Sequence, residues 1–174
     1  MDSNVKAMSA WISHSLSGTG TIWGQGSASN NTWRFQIQNV GGNYYVGLYC
    51  RGLLTCYGDT ALSADTLYRV TIATDGSTLK MYVNGVAQSL TFSAGSNGGQ
   101  FPNDITWSST IHSYIGLGYR WGAQEEFFHG IIDEFVALDY EPTATRLVAE
   151  YNNQNNPNTF YSFEDVGGGT VDSS

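Results

Sequence analysis

The sequence predicts an all-β domain: a two-sheet antiparallel sandwich with one short helix. Three observations lead there. Glycine occupies 21 of 174 positions, aromatic residues make up 14% of the chain and charged residues only 13%, which suits strands and tight turns better than long solvated helices. Segments of alternating apolar and polar residues recur along the chain with turn residues between them, as sandwiches require. Asn84-Gly85 lies between two β-rich runs, the strongest short-range hairpin signal, because a type I′ turn needs positive φ at both central positions.

The elements follow in order. Val5 to Ser15 reads as a strand with Trp11 near its middle. Thr32 to Val40 has period two: Trp33, Phe35, Ile37 and Asn39 share one face, and Arg34, Gln36 and Gln38 the other, so one face is expected in the core and the other in solvent. Gly41-Gly42-Asn43 turns the chain and Tyr44 to Cys50 returns it. Leu67 to Asp75 alternates and stops at Asp75-Gly76. Leu79 to Val83 and Val86 to Phe92 flank the Asn-Gly turn. Ser93 to Ser109 is polar and Gly-rich and reads as a long loop, a kind of segment that is often functional in compact domains. Ile111 to Tyr119 and Phe128 to Tyr140 are further strands. The helix is expected near residues 143–153: behind Pro142, the residues Ala144, Leu147, Val148 and Tyr151 fall at i, i+3, i+4 and i+7, and repeated Asn followed by Pro157 ends the pattern. Residues 1–165 are expected to form one domain, with 166–174 a flexible Gly/Ser-rich tail. Trp11, Trp23 and Trp33 are assigned to the core.

Charge narrows the partners. Fifteen acidic residues against seven basic give a net charge of −8, which repels nucleic acid and anionic membranes. No apolar run approaches the roughly 18 residues of a membrane span. Met1-Asp2-Ser3-Asn4 has neither the basic nor the apolar region of a secretory leader, as also holds for a domain inside a larger secreted chain. Cys50 and Cys56 either close a small hairpin disulfide in an oxidising compartment or stay reduced, one of them buried. With no further Cys and three scattered His, they do not form a metal site by themselves. Asn30-Asn31-Thr32 has the form of a glycosylation sequon.

Four segments then carry a resemblance. Phe128-His129-Gly130-Ile131-Ile132-Asp133-Glu134-Phe135-Val136-Ala137-Leu138 resembles the closing strand of laminin-G-like, pentraxin-like domains, and the Tyr151-Asn152 pair ends the helix that follows it in that family. Met8-Ser9-Ala10-Trp11-Ile12 is similar to the family's early Ser-Ala-Trp strand, Leu79 to Gly85 to its Tyr-Val-Asn-Gly hairpin, and Ile115-Gly116-Leu117-Gly118 to its Ile-Gly strand. They come in the family's order and span roughly residues 8 to 163. The resemblance implies a concanavalin A-like jelly roll that binds glycans or surface proteins, often with calcium and mostly without catalysis. The function expected is a non-catalytic carbohydrate-binding or adhesion module of a larger extracellular protein. The alternatives are a structural or assembly domain of a surface layer, fibre or virion, and a polysaccharide-degrading enzyme. One departure stands out. The family's opening strand has almost no room before Met8, yet Phe160 to Ser174 resembles it at the other end of the chain. That segment could fill the gap in its own domain, fill a neighbour's and so link subunits, or begin a second tandem domain.

Candidate chemistry is sparse. Glycosidases need two carboxylates facing each other across a sugar, and the Glu-x-Asp-x-x-Glu strand of related glucanases is absent. Glu125-Glu126 and Asp133-Glu134 are adjacent pairs, which on a strand point to opposite faces and do not converge. His112, His129, Arg120 and Gln124 show no spacing that assembles a lyase site. Asp133 lies between apolar strand neighbours and needs compensation if buried. The resemblance implies a structural calcium there, which requires six or more oxygens, several of them backbone carbonyls; exposure or a hydrogen bond to a turn would serve the residue equally. For ligand contact, Gly118 to Glu126 stands out. Trp121, Arg120, Gln124 and Glu125 offer a flat aromatic face with planar hydrogen-bonding groups, as sugar recognition uses. Trp107 and Asp104 in the long loop have the same character. Alternatively, Trp121 is a lid on the end of the sandwich.

Overall fold

The computed structural model describes residues 5–28, 31–102, 105, 107 and 110–157. The strands in chain order are β1 (Ala7–His14), β2 (Gly20–Ser27), β3 (Thr32–Val40), β4 (Asn43–Cys50), β5 (Leu54–Ala61), β6 (Tyr68–Thr74), β7 (Leu79–Val83), β8 (Val86–Ala87), β9 (Thr91–Ala94), β10 (Ile111–Ile115), β11 (Gly118–Arg120), β12 (Ala123–Glu125) and β13 (Gly130–Leu138), followed by helix α1 (Ala144–Asn155). They make a five-stranded antiparallel sheet, β13-β1-β6-β7-β8, a six-stranded one, β10-β2-β3-β4-β5-β9, and a two-stranded ribbon, β11-β12. This is the predicted sandwich with its short helix.

Strand alternation builds the core. Met8, Ala10 and Ile12 of β1 and Val70 and Ile72 of β6 point inward from one sheet, and Trp33, Phe35, Ile37, Val46 and Leu48 meet them from the other. Trp33 lies edge-on to Trp23 with ring centroids 5.4 Å apart, and 5.5 Å from Phe101. Phe101 comes from the polar loop after β9 and is fully buried, so that loop plugs the sandwich. Trp11 is buried on the other face of β1: its indole N–H donates to Gln154 Oε1 (2.8 Å) and its ring lies 5.8 Å from Tyr151. Helix α1 therefore covers the outer face of the five-stranded sheet. Thr143 caps the helix, its hydroxyl accepting from the Arg146 N–H at 3.3 Å. Pro142 consequently precedes the cap and is not the first helical residue.

Two expectations need correction. The polar face of β3 is not in solvent: Arg34 is 3% exposed and Gln36 4%, because the ribbon lies over it. β2 and β5 were not legible as strands. β2 contains Gly20, Gly24 and Gly26, and glycine weakens a strand interior. The two cysteines are thiols, and the register gives the reason. Cys50 lies opposite Leu54 and Cys56 opposite Leu48, so the pair is diagonal across the ladder, about 7–8 Å apart and beyond disulfide reach. Burial pushes the Cys56 thiol up to about 12, which keeps it protonated at neutral pH.

Candidate ligand-binding face

The outer surface of the six-stranded sheet is built around two glycines. Gly24 pairs with Arg34, and Gly26 with Thr32. A Cβ on Gly24 would lie 2.7 Å from Leu117 O, and one on Gly26 only 1.8 Å from Tyr119 O. Bare backbone at these positions lets the β11-β12 ribbon lie directly on β2. Beside this contact His112, Tyr114 and Tyr119 cluster, with His112 and Tyr119 centroids 4.4 Å apart.

Arg34 ties the ribbon down from below. Its Nη1 donates to Glu125 Oε1 at 2.7 Å and lies 2.8 Å from Glu126 Oε2. The Glu126 oxygen has no hydrogen bond of good geometry, so Glu125 takes the N–H and Glu126 supplies charge. The guanidinium stacks 4.4 Å from the Tyr49 centroid. Burial lowers the Arg34 pKa, opposed by Glu126 and Glu125; burial raises that of Glu126, opposed by Arg34. The two carboxylates converge here, contrary to the expectation for neighbours on a strand. Glu126 lies just past β12 with φ +51°, and this left-handed kink turns its side chain toward the side that Glu125 faces.

At the ribbon's tip Trp121 and Gly122 form a two-residue turn with φ +52° and +81°. Gly suits such a turn, whereas a bulky aromatic residue at positive φ is an outlier. Trp121 is 58% exposed. The Arg120 guanidinium lies 4.2 Å and that of Arg51 4.9 Å from its ring centroid. Arg120 Nη2 also donates to Glu125 Oε2 at 2.9 Å.

Trp121, Arg120 and Glu125 thus come together as expected, and Trp121 is not a buried lid. Gln124 is exposed on the same ribbon opposite Tyr119. Trp107 is held within its own loop, its indole N–H donating to Pro102 O at 3.1 Å while the ring packs on the core. Asp104, the Asn30 sequon position and the segment 158–174 lie outside the described residues. Sequence reasoning missed Arg51, Tyr49 and Arg34; a Gly-x-Gly strand beside an arginine-bearing one was the available signal. His14 is a packed core histidine, 4.8 Å from Phe128, with Nδ1 accepting from the Leu16 N–H.

Asp133 is exposed, and its Oδ1 accepts from the Glu134 N–H at 2.8 Å. Among the described residues no three His, Cys, Asp or Glu side chains are grouped to hold a metal. One carboxylate with an oxygen already engaged does not make a calcium cage, so calcium at Asp133 would depend on backbone oxygens for most of its ligands.

The architecture defines a class, a concanavalin A-like jelly roll with a ribbon laid over the outer face of one sheet. The chain belongs to the Laminin_G_3 family of the concanavalin A-like lectin/glucanases superfamily, whose model matches residues 1–147. A sequence search of curated proteins found no match. Among solved structures it is similar to the CBM40 of Ruminococcus gnavus IT-sialidase bound to α2,3-sialyllactose, at 16% identity and a TM-score of 0.66, covering 86% of this chain and 84% of that one. It is also similar to a heptameric SAP-like pentraxin from Limulus polyphemus, at 15% identity and a TM-score of 0.60, covering 85% and 70%. Domain 4 of the extracellular GH43 arabinanase AbnA of Geobacillus stearothermophilus, in complex with arabinotriose, matches at 19% identity and 0.59, covering 83% and 65%. At these identities the likeness establishes the fold.

Proposed function

We propose that this domain binds carbohydrate, without catalysis, on the ribbon-bearing face of its six-stranded sheet, as part of a larger extracellular protein. The observation that carries the reading is Trp121: a large aromatic residue held exposed at a strained turn position, steadied by two guanidiniums. Strained positions of this kind cluster at binding sites, and a presented indole beside fixed donors is what a pyranose or furanose ring recognises. The sialyllactose and arabinotriose complexes of similar domains support a saccharide ligand. The adjacent carboxylates Glu125 and Glu126 are both committed to Arg34 and do not face each other across a free gap.

A glycan array tests this. Binding to at least one glycan class is expected, with Trp121→Ala weakening it about tenfold or more, the worth of one aromatic platform. Silence across the array together with self-association in solution would favour an assembly role instead.

Calcium remains a subsidiary proposal. If Asp133 helps hold it, millimolar calcium raises Tm by mass action on the folded state, and Asp133→Ala removes that rise. A Tm indifferent to calcium and chelator removes calcium from the account.

A further inference from the structure

Helix α1 does not close fully on the outer face of the five-stranded sheet. A cavity of about 280 Å³ lies between them. Its floor is the sheet: Arg69 of β6, with Val136 and Leu138 of β13. Its roof is Leu147 of the helix, and Glu134 and Glu150 stand at its rim. Val136 lies opposite Ser9 and Arg69 opposite Trp11, so alternation brings an apolar wall and a cation into one chamber.

That cation is poorly answered. Arg69 is only 6% exposed. Of its guanidinium N–H groups, Nη1 donates to the main-chain carbonyl of Glu134 at 3.2 Å, while Nε is buried without a hydrogen-bond partner. Among the described residues Arg69 forms no ion pair. Arg34, the other deeply buried arginine among them, has two carboxylates. Burial lowers the Arg69 pKa, opposed by the charges of Glu150 and Glu134. Both carboxylates are engaged elsewhere: Glu150 Oε1 accepts from Arg146 Nε at 2.6 Å and Glu134 Oε2 from Gln154 Nε2 at 2.5 Å. Buried charges are ordinarily paired, because removing an ion from water without a counter-charge is costly. An unpaired guanidinium on the wall of a cavity therefore calls for an anion from outside the fold.

We propose that this cavity is a second binding site, which takes a small monocarboxylate with a short hydrocarbon body. Its oxygens accept from the free N–H groups of Arg69, a geometry that suits the planar guanidinium fork. Its carbons lie against Val136, Leu138 and Leu147. The rim selects for single charge: Glu134 and Glu150 repel a second negative group, which disfavours phosphates and dicarboxylates. The site lies on the side of the sandwich away from the β11-β12 ribbon and does not rest on the carbohydrate reading.

The test titrates the full chain with sodium butyrate. Butyramide, sodium succinate and sodium phosphate are the controls, with ionic strength held constant by sodium chloride. Tm and the NMR signal of the Arg69 Nε–H are read for each. Butyrate is expected to raise Tm saturably by mass action on the folded state and to shift the Nε–H signal, while the three controls leave both unchanged. Arg69→Met should weaken butyrate binding about tenfold or more, as loss of a charge-assisted contact requires. If Arg69→Met fails to fold, Val136→Phe fills the cavity, leaves the guanidinium in place and should give the same loss. Failure of butyrate to saturate below about 10 mM overturns the proposal and leaves an adventitious ion only. An equal response to butyramide overturns it by making the charge of Arg69 irrelevant, and an equal response to phosphate or succinate by removing the selection for one charge. Butyrate binding retained in Arg69→Met overturns it as well.

Discussion

Gly26→Val is expected to dislodge the β11-β12 ribbon and abolish ligand binding while the sandwich stays folded. The first added carbon would sit 1.8 Å from Tyr119 O and 2.8 Å from Tyr119 C, distances at which backbone has to move. β2 cannot yield, because it is hydrogen-bonded to β10 on one side and β3 on the other. The ribbon has fewer anchors and moves instead. Its departure strips Glu125 and Glu126 from Arg34, so the cost combines overpacking, about 1–3 kcal/mol, with loss of a buried ion pair, about 3–5 kcal/mol. These are not additive, since both describe one displacement. Far-UV circular dichroism should keep its β signature, Tm should fall by roughly 10 °C, and glycan affinity should vanish. Wild-type binding with an unchanged Tm would show that the ribbon does not rest on Gly26.

Arg34→Met is the complementary experiment, leaving the glycine seat intact and removing the cation. Methionine fills much of the volume and cannot answer the charge, so of two carboxylates both less than a third exposed, Glu126 loses its ion-pair partner and Glu125 keeps only Arg120. A loss of about 3–5 kcal/mol is expected at neutral pH. The penalty has a definite pH dependence. Burial already raises the Glu126 pKa, and Arg34 is the main influence holding it down; without Arg34 it rises further. An acid whose folded pKa exceeds its unfolded value, about 4.3 for Glu, binds more protons when folded, so stability falls as pH climbs through that window. Arg34→Met should therefore be much closer to wild type near pH 4 than at pH 7. A destabilisation independent of pH would mean that the lost packing on Tyr49, and not the charge, sets the cost.

Where the sequence was readable, a local rule sufficed. β3 begins and ends at the predicted residues because alternation survives along its whole length, and Asn84-Gly85 adopts φ +52° and +78° because few other dipeptides do so easily. The helix was readable from its spacing to within about one turn. What could not be read depended on contacts made elsewhere. β2 is written in glycines that look like a loop until a ribbon lies on them. Arg34 looks like a solvent residue until a carboxylate 91 positions away, that of Glu125, arrives with its neighbour Glu126. Trp121 and Arg120 could be singled out together from their chemistry and adjacency, whereas Arg51 belongs to a different turn and no linear spacing ties it to them. The expectation for Glu125 and Glu126 failed for a different reason: it assumed a strand where the backbone takes a left-handed step.

The placement of the chain's exits bears on how such a domain could act within a longer polypeptide. The first described strand and the helix that ends the described chain both belong to the five-stranded side, with Lys6 N–H donating to Leu138 O and Gln154 seated against β13. The ribbon and Trp121 lie across the opposite sheet. Both described ends of the chain thus lie on the side away from the face proposed to bind carbohydrate. If that proposal holds and copies of the domain are linked in series, each engagement after the first is intramolecular, and its strength depends on the effective concentration that the linker sets.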